Sequence, residues 1–64
     1  MQEAEMEGWQ QRVIDEKRAL DERLAKLVAF LSKGEPDELL WRQKVLMLEY
    51  SYILGERIKR FTPT

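Results

Sequence analysis

Cysteine and histidine are both absent from this 64-residue chain. Without cysteine no disulfide can staple the fold. Without histidine the commonest metal ligand is missing, and only oxygen-donor sites are left. The same absences remove the usual nucleophile–base pairs. The remaining hydroxyls are Ser32, Ser51, Thr62, Thr64, Tyr50 and Tyr52, and none has an imidazole or thiolate to work with. Glycine occurs three times and proline twice, too seldom for a phosphate-cradling loop; the lone glycine of "LGER" is a weak signal. No apolar run approaches the roughly 18 residues that span a bilayer. An excess of charge is lacking as well: the formal net charge is −1, so any anion site has to be a local cluster of arginines and lysines. With no basic helix face, DNA is not an expected partner. No catalysis, metal or cofactor is expected.

A single domain covering residues 1–64 is the most this length allows. A globule of this size buries only about 60% of its unfolded surface and is marginal alone. Small scaffolds usually add disulfides, a metal or partner chains; here partner chains remain. Charged residues make up 36% of the chain and hydrophobic ones 44%, a helix-rich rather than disordered composition. The opening "MQEAEMEGWQ" is acidic where a signal peptide would be basic and then apolar, so a cytoplasmic protein is expected.

The pattern predicts an all-α hairpin: one helix over about residues 3–32, a turn at 33–35, and a second helix over about 36–61. Wound at about 100° per residue, Met6, Trp9, Val13, Leu20, Leu24, Leu27 and Leu31 form one stripe, widened by Val28 and Ile14. The opposite surface carries Asp15, Arg18, Glu22 and Lys26, with Glu22 and Lys26 spaced for an i, i+4 pair. In "SKGEPDE", Gly34 suits the left-handed position past a helix end and Pro36 the first turn of the next helix. So short a link implies antiparallel neighbours.

The second helix is apolar on two sides. Leu39, Leu40, Leu46, Met47, Tyr50, Ile53, Leu54, Ile58 and Phe61 cover an arc of roughly 140°. Trp41, Val45, Leu48 and Tyr52 make a second stripe. Lys44, Ser51 and Gly55 separate the two on one flank, and Arg42, Glu49 and Glu56 on the other. One neighbouring helix cannot cover both, and an uncovered apolar stripe is something monomers avoid. The expectation is a homo-oligomer, a dimeric four-helix bundle being the simplest closed form, with Trp41, Val45, Leu48 and Tyr52 at the interface.

Arg57 falls inside the wide arc, in heptad step with Gln43 and Tyr50. Its stem can pack along the seam while its head pairs with an acid from "EAEMEGW". Alternatively, it presents a guanidinium for bidentate phosphate binding, with Tyr50 or Tyr52 stacking on a base. Trp9 and Trp41 read as core or interface anchors. Arg12, close to Trp9 on the wheel, offers a second ligand corner. Lys17 reads as a lysine snorkelling beside the seam, and Gly55 as either a site of close approach or a tolerated defect.

"WQQRVIDEKRALDERLAKLVAFL" followed by "YSYILGERIKRF" resembles a family of small phage proteins, helical hairpins named after a crAss-like phage protein. The similarity covers Trp9 to Leu31 and Tyr50 to Phe61. By shape and context that family looks like the oligomeric sponges that phages use against CBASS and Thoeris immunity. The resemblance implies an anti-defence protein of the infected cell's cytoplasm that sequesters cyclic nucleotide or cyclic ADP-ribose signals between chains. Trp9, Arg12, Tyr50, Tyr52 and Arg57 are then the candidate ligand contacts. The alternative is a structural hairpin that oligomerises or docks on a host or phage protein.

Overall fold

The computed structural model describes residues 7–34 and 37–62. Two α-helices, α1 (Gly8–Leu31) and α2 (Glu38–Phe61), lie antiparallel in a rod of 47 × 19 × 17 Å. Met6 and Pro36, expected in the first stripe and in the first turn of the second helix, lie outside the described residues.

The ends of the helices are set by local chemistry. At the start of α1 the Glu7 N–H donates to Gln10 Oε1 at 2.8 Å, satisfying a backbone group that has no helical partner. Past its end Gly34 takes a φ of 90°, the left-handed conformation that favours glycine, and its N–H donates to the Leu31 carbonyl at 3.1 Å. Asp37 caps α2 by accepting from the Leu40 N–H at 3.1 Å. Glu38 then sits at the positive end of α2, and Lys59 and Arg60 at its negative end, each charge complementing the helix dipole. Thr62 closes the last turn through Oγ1 to the Ile58 carbonyl at 2.6 Å.

Val13, Leu20, Leu24 and Leu31 of α1 are buried, as the first stripe implies. The core is Val13, Leu20 and Leu54, with Met47, Ile58 and Phe61 packed on it; Leu54 has no exposed surface. At the open end of the hairpin Trp9 meets Phe61 edge-to-face at 5.2 Å, the arrangement aromatic rings favour. Trp9 is thus an anchor that stays half-exposed.

The seam on α2 differs from the expected arc. It follows Leu40, Lys44, Met47, Ser51, Leu54, Ile58 and Phe61, which alternate steps of four and three residues, the a/d spacing of an antiparallel pair. The flank of Lys44, Ser51 and Gly55, expected as a polar divider, is where α1 packs: Ser51 is 8% exposed. The physical reason is a hydrogen-bonded node. Lys17 Nζ lies 2.8 Å from Asp21 Oδ2 and donates to Ser51 Oγ at 2.9 Å, while the Ser51 hydroxyl donates to Asp21 Oδ1 at 2.5 Å. A fully paired polar group can be buried where an unpaired one could not. Gly55 makes room for this node, since a Cβ there would stand 3.3 Å from Lys17 Cε.

With the seam on that flank, the second stripe of α2 and the far part of its wide arc remain at the surface. Trp41, Val45, Leu48 and Tyr52 line one side of the hairpin, and Leu39, Leu46, Tyr50 and Ile53 the other, all exposed. Among the described residues the ion pairs are Lys17–Asp21 and Lys59–Glu56; the spacing of Glu22 and Lys26 does not close into one.

Candidate functional site

The two sides of the hairpin differ in charge. The side that carries the Lys17–Asp21–Ser51 node also carries Trp41, Val45, Leu48 and Tyr52, since Gly55 and Lys17 face each other there. Along α1 it opens into a shallow groove of about 500 Å³ lined by Ile14, Lys17, Arg18, Asp21, Glu22, Ala25 and Ile58. Lys44 folds over the Trp41 ring at 4.2 Å from its centroid, a cation–π contact that occupies its charge.

On the opposite side the Tyr50 hydroxyl donates to Glu16 Oε2, tying the two helices across the seam. That bond, together with burial, raises the phenol above its ordinary pKa of 10.0 because the carboxylate favours the protonated hydroxyl; the positive charge of Arg57 acts the other way. Arg57 lies two turns beyond Tyr50 on the same side of α2, and Arg12 one turn before Glu16 on the same side of α1. The Arg12 guanidinium folds back toward the bare backbone of Gly8, with Nη1 3.6 Å from where a Cβ would stand. Both arginines are exposed, and among the described residues neither forms an ion pair. Of the acids in "EAEMEGW" expected as partners of Arg57, Glu7 forms no ion pair with it, and Glu3 and Glu5 lie outside those residues.

Of the five candidate ligand contacts, the fold therefore brings Arg12, Tyr50 and Arg57 to one side and places Trp9 at its open end. Tyr52, 67% exposed, belongs to the other side with Trp41, Val45 and Leu48, and within one chain it is separated from the rest. Pattern reading missed the node of Lys17, Asp21 and Ser51 and the tie from Tyr50 to Glu16. The unbroken four-three spacing from Leu40 to Phe61 was the signal that could have found the node, since it passes through Ser51. Asp21 is held below its ordinary pKa of 3.8 by Lys17 first and Ser51 second, the shift of a paired structural carboxylate rather than of a proton-transfer group.

Among the described residues no group of three or more carboxylates converges on a metal-sized site. No helix there is long and apolar enough to cross a membrane. Neither a curated protein nor a solved structure matches this sequence. The Sequestin family model, however, matches residues 7–60. That span takes in α1, all of α2 but its last residue, and every candidate residue named above, so the chain belongs to the Sequestin family, a membership that points to sequestration rather than catalysis.

Proposed function

We propose that this protein is a phage-encoded sponge that assembles from several copies and holds a cyclic nucleotide or cyclic ADP-ribose immune signal without transforming it. The observation that carries the reading is Arg57: an exposed guanidinium set in an apolar face between Tyr50 and Ile53, with no ion pair among the described residues. Such a group gains a bidentate, charge-assisted contact when a phosphate arrives. Arg12 on the same side adds a second guanidinium. The Tyr50 ring, fixed at its hydroxyl by Glu16, offers a flat surface for a base, a contact worth about 1–3 kcal/mol per base stacked. Trp9 at the open end extends that surface. Catalysis has no part in this: retention of an unchanged ligand is sufficient.

Calorimetry against cyclic dinucleotides, cyclic trinucleotides and cyclic ADP-ribose isomers tests the reading. Tight binding to one of them is expected, with the ligand recovered chemically intact after the protein is denatured. Arg57→Ala is expected to weaken binding at least about tenfold, the loss of roughly 1.4 kcal/mol, with the melting temperature unchanged. A well-folded oligomer that binds none of these ligands would end the reading. The exposed apolar face of Trp41, Val45, Leu48 and Tyr52 favours a second use, docking on a host or phage protein; capture of one stoichiometric partner would mark it.

A further inference from the structure

The spacing of the side that bears Trp41 carries information about what covers it. Trp41, Val45, Leu48 and Tyr52 are separated by four, three and four residues, a sequence of steps that reads the same in both directions. An antiparallel second α2, related by a twofold axis between residues 46 and 47, therefore sets Trp41 against Tyr52 and Val45 against Leu48 without any shift of register. We infer that a second copy of this chain seats on this side in that way, α2 against α2, leaving the side of Arg12, Tyr50 and Arg57 open. This deepens the sponge reading by naming the face that joins the copies, and rests on that reading for the oligomer alone.

Two observations favour this occupant. The exposed parts of the four side chains give roughly 500 Å² per chain and about 1,000 Å² per pair, the size at which specific interfaces begin. Charge fits too: Arg42 and Glu49 flank the stripe on its outer edge, and the twofold brings each Arg42 within about 3 Å, along the helix axis, of the partner's Glu49, inside the reach of the two long side chains.

The other apolar side offers similar area but is excluded by its charge. Packed antiparallel on itself, it sets each Arg57 against Leu39 of the other copy, and a buried guanidinium without a counter-ion is strongly unfavourable.

A charge exchange tests the inference. Arg42 and Glu49 are two turns apart on one helix and do not touch within a chain, so any coupling between them arises across the twofold. By sedimentation equilibrium, R42E and E49R alone are each expected to weaken self-association about fivefold, and the double variant to recover it to within about twofold. Absence of recovery would overturn the arrangement. Spin labels on Arg60→Cys supply an independent measure. From the 1.5 Å rise per residue the antiparallel pair puts them about 40 Å apart, and a separation below about 25 Å would contradict it. An oligomer broken by Leu46→Arg and indifferent to Leu48→Arg would also overturn this interface, and would leave the sponge reading to stand or fall on its own calorimetry.

Discussion

Ser51 shows how a single hydroxyl decides where two helices meet. It joins the Lys17–Asp21 ion pair of α1 to α2 within the seam, and without it both charged groups would face α2 with one partner fewer. Ser51→Ala is expected to lower stability by about 1 kcal/mol, the usual net value of a hydrogen bond, read as a shift in the urea midpoint at constant slope. The pH dependence follows from the depressed carboxyl of Asp21. The paired carboxylate contributes stability above its unfolded value of 3.8, and that contribution is lost as pH falls through the lower folded value. Between about pH 5 and about pH 2, Asp21→Asn should therefore flatten the acid limb of a stability profile. At the other end of the scale the Tyr50–Glu16 bond is present below pH 10.0 and is lost as pH rises through the raised folded value. Phenolate absorbance should show one tyrosine ionising late, with Glu16→Gln bringing it down and Arg57→Ala pushing it higher still. No response to Arg57→Ala would mean that the charge of Arg57 does not reach the Tyr50 hydroxyl.

The helices themselves were largely legible from sequence because their signals are local. Gly34 at the left-handed position and the acidic start of α2 are read from spacing alone, and the fold uses them as spacing implies. Gly34→Ala is expected to cost about 1 kcal/mol or slightly more, the penalty of a side chain in the left-handed region, measured by thermal melting. Helix α1 was legible for a second reason: its apolar residues lie on one stripe, so the wheel has a single answer. On α2 the wheel has two apolar stripes, and hydrophobicity points to either of them. The fold takes neither whole. It uses Leu40, Met47, Leu54, Ile58 and Phe61 from the edge of the wider one and completes the seam with Lys44 and Ser51. Summed hydrophobicity cannot find such a seam, because Ser51 is worth burying only once Lys17 and Asp21 are opposite it. Gly55 belongs to the same arrangement. Gly55→Ala should gain helix propensity of about 1 kcal/mol and lose part of it by displacing the flexible end of Lys17, a net stabilisation below about 1 kcal/mol on a urea midpoint.

At the scale of the whole molecule the polar seam has a consequence for assembly. Because α1 covers only one edge of the wider stripe of α2, a single hairpin exposes apolar surface on both sides: Leu46 and Tyr52, on opposite sides, are 66% and 67% exposed. A chain with so small a core and two such faces is not expected to be stable alone at cellular concentration. The candidate ligand contacts divide in the same way, Arg12, Tyr50 and Arg57 on one side and Tyr52 on the other. Sequence could name these residues from their chemistry, but could not sort them by side until the seam was placed. The most direct measurement is sedimentation equilibrium of the unaltered chain at micromolar concentration. A mass that is a multiple of the 7.7 kDa protomer, with melting temperature rising with concentration, is the expected result. A single 7.7 kDa species that melts cooperatively at the same temperature at every concentration would contradict it.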